Sequence, residues 1–280
     1  SLALLFEKPS LRTRIAFELG IAQMSGISVN FDEKELQMGK REALRDISKV
    51  LSRYVDAIAA RVQDHNTLVE LKKYSAIPII NALSDIEHPC QALADLMTIK
   101  EKKGSFQGLN LTFIGDGNNV ASSLALACAL VGINFTISSP KGYELPGPII
   151  ENANRIASYN DWSLNLIQDP NKAVQAADIV YTDVWTSMGQ ESETKARALA
   201  FENYTVTTSL LSKAKENAIF LHDLPAHRGE EIEDGVIESP QSAVFDQAEN
   251  RLHAQKALMV WCLGGKAQVS REIEQSTERS

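Results

Sequence analysis

The stretch FEKPSLRTR, residues 6–14, places two arginines in the first turn of a predicted helix. Pro9 and Ser10 are typical of a helix start, with Ser10 as the N-cap. Because unpaired N–H groups already make this end positive, a cation there costs free energy and an anion gains it. A phosphate bound among the N–H groups, the hydroxyls and the guanidinium of Arg12 would reverse that cost. The pattern therefore favours an anion site over a solvated turn with surface arginines.

Polar side chains also follow the other apolar runs that read as strands. Arg61 comes directly after residues 56–60, and the segment HPCQALAD follows residues 77–80. Three further strand ends carry GDGNN, DVWTSMGQE and HDLPAHRGEE. In parallel α/β folds, ligands bind beyond the carboxyl ends of the strands. Chemistry-bearing groups at all these ends indicate an enzyme, because a structural protein has no need of them there.

Each of these side chains also has an ordinary structural role, and the residues alone leave the choice open. Asn118 and Asn119 either cap a helix or bind a polar substrate. Asp183 either forms a turn or binds an ammonium group. His88 is either structural or, together with Gln91, polarises a carbonyl and holds an amide.

Two cofactor motifs are begun but not completed. Gly115 and Gly117 start a G-x-G-x-x-G pattern, but Val120 stands where the third glycine belongs and no acid ends the next strand. Both departures count against NAD. His222 and Asp223 could start a metal site, but no third ligand follows at a suitable spacing. We therefore predict that the protein uses no cofactor and no metal ion.

The elements that must position these groups alternate along the chain as strands and helices. The predicted strands are residues 2–6, 56–60, 77–80, 109–114, 133–138, 164–167, 178–182 and 218–221. Helical patterns include residues 41–54, 89–102, 119–131 and 246–262. The polar segment KEKKGSFQG, residues 100–108, marks a domain boundary. We expect an α/β protein of two doubly wound parallel-sheet domains, with the active site in the cleft between them.

Composition narrows the class of protein further. The 280 residues, 44% of them hydrophobic, suffice for one large or two medium domains, and the net charge of −8 argues against a nucleic-acid surface. Three widely separated cysteines suit a reducing compartment. We find no apolar run of membrane-spanning length and no signal peptide. The chain begins without Met inside a strand, so we expect further residues before Ser1, among which a targeting peptide could have been removed.

Seven stretches carry a family resemblance when they are taken together. They are FEKPSLRTR, LQMGKREALRD, HPCQALAD, GDGNNV, DVWTSMGQE, FLHDLPAHRGEE and AENRLHAQKA. In this order they resemble the carbamoyltransferase family and, within it, the ornithine-specific branch. The resemblance implies a carbamoyl phosphate-binding domain at residues 1–104 with the C-terminal segment 246–280, and an ornithine-binding domain at residues 105–245. It also implies a homotrimer or a multiple of trimers, in the cytoplasm or in an organellar matrix.

The resemblance also implies roles for individual residues. The carbamoyl phosphate set is Ser10, Leu11, Arg12, Thr13, Arg61, His88, Gln91, Leu224 and Arg251, with Gln37 reaching a neighbouring subunit's site. The ornithine set is Asn119, Asp183, Ser187 and Met188. The residues implied in catalysis are Arg61, His88, Asp223 and Arg251. The reaction would transfer the carbamoyl group of carbamoyl phosphate to the δ-amine of L-ornithine, giving L-citrulline and phosphate, in arginine biosynthesis or the urea cycle.

Two residues depart from the family pattern. Leu11 replaces a threonine, which is tolerable if this position offers only its backbone N–H to phosphate. Asp223 replaces the family's cysteine beside the attacking amine, and we expect reduced turnover with substrate binding retained. The alternatives are transfer to another amine, such as putrescine, lysine or an acylated ornithine, and a weakly active or non-catalytic carbamoyl phosphate-binding relative.

Overall fold

The computed structural model describes residues 1–32, 38, 41–159, 162–187 and 189–265. The chain divides into two compact units. Unit 1 holds Ser1–Ile86 and the chain from Arg251 onward, and unit 2 holds Glu87–Asn250. In the ranges just given, we find no helix that combines the length and the apolar character needed to cross a membrane.

Unit 1 contains a parallel four-stranded sheet in the order β2-β1-β3-β4. Its strands are β1 (Leu2–Phe6), β2 (Ser28–Asp32), β3 (Ala57–Arg61) and β4 (Ile79–Leu83). Its helices are Leu11–Gln23, Leu44–Tyr54, His65–Tyr74 and the greater part of Val244–Val260. Strands β1 and β3 are buried along their whole length, as expected when helices cover both faces of a parallel sheet.

Unit 2 contains a parallel five-stranded sheet in the order β7-β6-β5-β8-β9. Its strands are β5 (Asn110–Ile114), β6 (Asn134–Ser138), β7 (Leu164–Leu166), β8 (Ile179–Thr182) and β9 (Ile219–His222). Its longer helices are Pro89–Lys103, Asn119–Val131 and Gly147–Ile156, and the short ones are Pro170–Ala173, Thr194–Ala200, Thr208–Leu211 and Asp234–Ile237. Apolar side chains from both faces of the sheet form two cores.

The prediction of two doubly wound parallel sheets is confirmed. Strand β2 was missed by the sequence reading, because its side chains are only partly buried and it lies at the sheet edge. Arg61 and His222 are the last residues of their strands rather than the first residues after them. The compact units divide at Ile86 and Asn250, while the predicted limits of the substrate-binding domains, 104 and 246, stay predictions.

Each sheet has one place where the strand order reverses. In unit 1 the chain moves outward from β1 to β2 on one side and to β3 on the other, so the reversal lies between β1 and β3. In unit 2 it lies between β5 and β8. The connections on either side of such a reversal leave toward opposite faces and open a crevice at the carboxyl ends of the two strands. These two crevices are where ligands are expected.

Candidate active site

The first crevice contains the arginine-rich turn that follows β1. Ser10 is the N-cap of helix Leu11–Gln23 with extended backbone, but its hydroxyl makes no capping bond. Instead, Ser10 Oγ accepts a hydrogen bond of 3.2 Å from Nη1 of Arg61, at the end of β3. The same nitrogen lies 3.4 Å from Thr13 Oγ1. The turn is therefore organised around a guanidinium group rather than around its own cap.

A second guanidinium reaches the same hydroxyl from the last helix. Nη2 of Arg251 donates to Thr13 Oγ1 over 3.1 Å, and Nε of Arg251 donates to Oε1 of the buried Gln255 over 3.1 Å. Arg61 and Arg251 are only 8% and 3% exposed. Because the Thr13 oxygen accepts from both, its own proton is directed toward a third partner. Two buried like charges on one hydroxyl favour an anion at this place.

The remaining residues of the turn differ in their surroundings. Leu11 is 71% exposed, and Arg12 is partly buried. Arg14 forms an exposed ion pair with Glu18, with 2.7 Å between Nε and Oε1. The two arginines of the first turn thus have separate explanations, since Arg14 is paired one turn along its own helix.

In unit 2, the HPCQ segment begins a buried helix. His88 precedes Pro89, the first residue of the helix, and its backbone N–H donates to Ser123 Oγ over 2.8 Å. One turn later, Nε2 of Gln91 donates to Oδ1 of Asp95 over 2.8 Å. The ring of His88 and the amide of Gln91 are nearly inaccessible to solvent, and the bond to Asp95 sets the orientation of the Gln91 amide.

The crevice of unit 2 joins the loops after β5 and β8. Asn118 caps helix Asn119–Val131 by accepting from the N–H groups of Val120 and Ala121. Its Nδ2 donates to Oδ2 of the buried Asp183 over 2.7 Å. The sequence allowed either Asn118 or Asn119 to cap this helix, and the structure shows that Asn118 does so. Asn118 also holds the carboxylate of Asp183 at the end of β8.

The two glycines of the GDGNN loop have local backbone roles, a close approach at Gly117 and a positive φ at Gly115. A Cβ atom on Gly117 would collide with the carbonyl group of Glu144, and the Gly117 N–H donates to Tyr143 O over 2.8 Å. Gly115 has a φ of +141°, which side chains disfavour. The partial dinucleotide motif thus has a local packing reason.

Strands β8 and β9 bring two carboxylates side by side. Thr182 pairs with His222 in the sheet, so the next residues, Asp183 and Asp223, leave it together. Ligand atoms of Asp183, His222 and Asp223 all lie within 4.8 Å of one another. The sequence near His222 and Asp223 offered no third ligand, and the structure supplies one, Asp183, from the end of the neighbouring strand β8. Two carboxylates this close favour a cationic partner, such as an ammonium group.

The ring of His222 is engaged at both nitrogens. Nδ1 accepts from the N–H of Leu224 over 2.9 Å, and Nε2 lies 3.2 Å from Oε1 of the buried Glu231. A ring nitrogen that accepts an N–H carries no proton, so Nε2 is the donor. Leu224 has a φ of +59°. This contact holds the unusual backbone of the loop that carries Asp223, and it uses the lone pair that a metal ion would need.

An ion pair that sequence reasoning missed ties the loops of this crevice together. Nη1 of Arg197 lies 2.6 Å from Oδ2 of Asp116 and 3.0 Å from the carbonyl oxygen of Trp185. Its Nε lies 3.0 Å from Oε2 of Glu193, and the guanidinium lies over the ring of Tyr143. Burial raises the pKa of Asp116 above its ordinary value, while the hydrogen bond and charge of Arg197 oppose that rise.

Two further residues that the sequence did not single out each hold a predicted site residue one helical turn away. Asp95 is four residues after Gln91, and Gln255 is four residues after Arg251. Residues at this spacing share a helix face, so the spacing was a usable signal. Burial and the charge of Asp95 together raise the pKa of Tyr181 well above its ordinary value.

The structure thus gathers the predicted residues into groups. Ser10, Thr13, Arg61 and Arg251 meet in unit 1, and Asp183 and Asp223 meet in unit 2. Ser187, on the loop after β8, has its N–H bound by Oε1 of Gln190 over 3.1 Å. Gln37 and Met188 lie outside the described residues.

Two family descriptions match the chain. The description "Aspartate/ornithine carbamoyltransferase, carbamoyl-P binding domain" matches residues 1–101. The description "Aspartate/ornithine carbamoyltransferase, Asp/Orn binding domain" matches residues 107–262. The two matches together cover most of the described chain, and they adjoin at the polar segment that the sequence marks as a boundary.

Individual relatives agree with these matches. The ornithine carbamoyltransferase of Thermococcus kodakarensis is 52% identical over 265 residues, which are 95% of this chain and 84% of the relative. The solved structure of the Pyrococcus furiosus ornithine carbamoyltransferase gives a TM-score of 0.91 at 50% identity, covering 94% of this chain and 84% of that one. The anabolic ornithine carbamoyltransferase of Campylobacter jejuni gives 0.89 at 38% identity, with 95% and 88% covered.

Proposed function

The chain belongs to the aspartate/ornithine carbamoyltransferase family, and from this premise we propose that it transfers the carbamoyl group of carbamoyl phosphate to the δ-amine of L-ornithine. The products are L-citrulline and phosphate. The observation that carries the proposal is the convergence of Arg61 and Arg251 on the hydroxyl of Thr13, beside a helix start. That arrangement suits a phosphorylated substrate whose carbonyl must become an oxyanion.

The reaction requires positioning and charge stabilisation from the protein. The amine nitrogen attacks the carbamoyl carbon, the bond from that carbon to the phosphate oxygen breaks, and the amine loses a proton. In our proposal Ser10, Arg12 and Thr13 hold the phosphate, with the Leu11 N–H beside them. Arg61, Arg251 and His88 stabilise the developing oxyanion. Gln91 and the backbone of Leu224 hold the carbamoyl amide.

We assign the amino-acid substrate to the second group of residues. Asp183, held by Asn118, binds the α-ammonium, with Asn119, Ser187 and Met188 around it. Asp223 faces the δ-amine. This amine has an ordinary pKa near that of Lys, about 10.4, so little of it is neutral at pH 7. A group that accepts this proton, or that stabilises the protonated amine, therefore affects the rate directly, and we assign this role to Asp223.

The domain limits follow the same assignment. We propose that residues 1–104 with 246–280 bind carbamoyl phosphate and that residues 105–245 bind ornithine. The two family matches, at residues 1–101 and 107–262, support a change of role near residue 104. The second match includes residues 246–262, so the assignment of that segment rests on its contacts. Arg251 contacts Thr13 in unit 1, which supports the assignment of the C-terminal segment to the first substrate.

A second candidate function is favoured by the paired carboxylates. Asp183 and Asp223 together suit tight binding of a protonated amine, which would leave a weakly active or non-catalytic carbamoyl phosphate-binding protein. The same pair would also suit another amine, such as putrescine or lysine. An acylated ornithine lacks the α-ammonium that Asp183 is proposed to bind.

One assay separates these functions. We expect phosphate release from carbamoyl phosphate to depend on L-ornithine and to yield citrulline, with putrescine, lysine and N-acetylornithine much poorer substrates. Replacing Arg61 by Met should lower kcat by roughly 10²–10³, as for the loss of one oxyanion donor. Arg228→Met is the matched control, because Arg228 is exposed and pairs with Asp234 and Glu238. Ornithine-independent release, or none, would contradict the transferase proposal.

We further propose a homotrimer, or a multiple of trimers, located in the cytoplasm. An apolar stripe of Leu11, Ile15 and Leu19 is exposed along one helix of unit 1, which supports contact with a second copy of the chain. Cys90, Cys128 and Cys262 form no disulfide, which suits a reducing compartment. The Campylobacter jejuni relative is an anabolic enzyme by name, which supports citrulline synthesis as the direction of the reaction.

A further inference from the structure

A buried carboxylate lies behind the residue proposed to hold the carbamoyl amide. Asp95 has no exposed surface, and its two oxygens accept hydrogen bonds from three side chains. Oδ1 accepts from Nε2 of Gln91 over 2.8 Å and from Nε2 of Gln247 over 2.7 Å. Oδ2 accepts from the hydroxyl of Tyr181 over 3.3 Å. Gln91, Gln247 and Tyr181 are themselves buried.

This arrangement decides which atom of Gln91 can meet a substrate. A carboxylate only accepts hydrogen bonds, so the amide nitrogen of Gln91 must face Asp95 and the amide oxygen must face away. The reversed amide would place two acceptors against each other in a buried site, where an unmade hydrogen bond is costly. The spacing of four residues on one helix keeps the pair in contact.

We propose that Asp95 is a positioning residue that fixes the Gln91 amide so that its oxygen selects the N–H₂ group of the carbamoyl substrate. The inference rests on the proposed function. Oε1 of Gln91 can accept a hydrogen bond from a carbamoyl amide but gains none from the methyl group of acetyl phosphate. Asp95 thereby sets specificity without touching substrate.

The same carboxylate also orients the loop after β9. Gln247 donates to Asp95 and to the hydroxyl of Tyr181, and its Oε1 accepts from the backbone N–H of His222 over 2.9 Å. His222 in turn holds Leu224, whose backbone is the second proposed partner of the carbamoyl amide. One buried charge thus connects both groups that would recognise the amide.

The test compares binding of carbamoyl phosphate with binding of inorganic phosphate, measured by calorimetry on the full chain. Asp95→Leu should raise the Kd for carbamoyl phosphate about tenfold, the factor equivalent to about 1.4 kcal/mol. The Kd for phosphate should stay unchanged, because its proposed ligands lie in unit 1. Asp95→Asn should restore most of the affinity, since its oxygen can face the two amides while its nitrogen faces the Tyr181 hydroxyl.

Thr98→Val is the matched control. Thr98 is equally buried one turn further along the same helix and accepts from Asn250, so its loss lowers stability without reaching Gln91. A double-mutant cycle adds Gln91→Ala: if Asp95 acts through Gln91, substituting Asp95 in that background should add little. The cycle can use Asp95→Ala, which also removes both carboxylate oxygens, if Asp95→Leu does not fold.

An unchanged Kd for carbamoyl phosphate, an equal rise for both ligands or full additivity in the cycle would overturn the proposal. Activity of the unsubstituted chain reports separately on the proposed function. If that chain binds carbamoyl phosphate without turnover, the transferase proposal fails while the ratio of the two dissociation constants still decides the role of Asp95.

Discussion

Asp223 is the side chain that we propose to control the protonation of the attacking amine. It is only 11% exposed, and its Oδ1 lies 3.6 Å from Nδ1 of His222. It follows β9 beside Asp183, at the position where the resemblance found in the sequence implies a cysteine. A carboxylate close to a protonated amine favours the charged form of that amine and so opposes the deprotonation that attack requires. A carboxylate can alternatively accept the amine's proton as a general base.

Replacing Asp223 by Cys distinguishes these roles. We expect kcat to rise, because removal of the negative charge lowers the pKa of the bound amine, and the KM for ornithine to rise as one attraction is lost. Steady-state kinetics at fixed carbamoyl phosphate measures both constants. Glu202→Cys, an exposed acid in the same unit, controls for adding a thiol. An unchanged kcat would contradict the expected slowing by Asp223, and a lower kcat would contradict it and indicate that Asp223 acts as the base.

At the scale of elements, Arg197 connects segments that the strand order only brings near one another. It lies on helix Thr194–Ala200 and bonds both Asp116, in the loop after β5, and the carbonyl of Trp185, in the loop after β8. These loops carry the residues proposed to bind ornithine. The pair is buried, so removing one partner leaves the other charge without compensation.

Arg197→Met should therefore destabilise unit 2 by about 3–5 kcal/mol, measured by urea unfolding. It should also raise the KM for ornithine more than the KM for carbamoyl phosphate, because the loop of Asp183 loses its anchor. Arg155→Met is the control, since Arg155 is an exposed helix residue whose bond is to Asn152. Equal changes in both KM values would argue against a positioning role.

The loss of stability in Arg197→Met should depend on pH. Burial already raises the folded-state pKa of Asp116, and the variant lacks the charge that opposes this rise. A carboxyl whose folded pKa exceeds its unfolded pKa contributes stability below the unfolded value and loses it as pH rises through the folded value. The deficit should shrink as pH falls through that range, and Asp116→Asn in the same background should abolish the effect.

At the scale of the molecule, the apolar stripe of helix Leu11–Gln23 is exposed although the opposite face is buried. Ala16, Phe17 and Gly20 face inward, and Gly20 lets the last helix approach, since a Cβ atom there would lie 3.0 Å from Cε of Met259. Leu11, Ile15 and Leu19 recur every four residues on the outer side. A continuous exposed stripe of this kind is typical of an interface between subunits.

Leu19→Glu should shift the protein toward monomers without unfolding it, because Leu19 is 49% exposed in the isolated chain. Light scattering coupled to size exclusion measures the mass, and far-ultraviolet circular dichroism measures the fold. Leu199→Glu, an exposed leucine of unit 2, should leave the mass unchanged. A Leu19→Glu protein with the same mass as the unsubstituted chain would contradict the proposed use of this stripe.

The sequence predicted most of what depends on local pattern. The alternation of apolar runs and helical segments predicted the two parallel sheets. The turn after β1 brings the predicted residues Ser10 and Thr13 together with Arg61. Contacts between distant segments could not be predicted from the sequence. The Arg197–Asp116 pair spans 81 positions, and no local spacing indicates it. Likewise, Asp183 and Asp223 become neighbours only through the order of β8 and β9.

Unit 1 is discontinuous in the chain, and this determines when its proposed anion site is completed. During synthesis from the N-terminus, Ser10, Thr13 and Arg61 are made early, while Arg251 and Gln255 follow only after the whole of unit 2. Domains generally fold as units while the chain is being made. The nascent protein can therefore finish unit 2 first, and the proposed anion site becomes complete only when the last helix has left the ribosome.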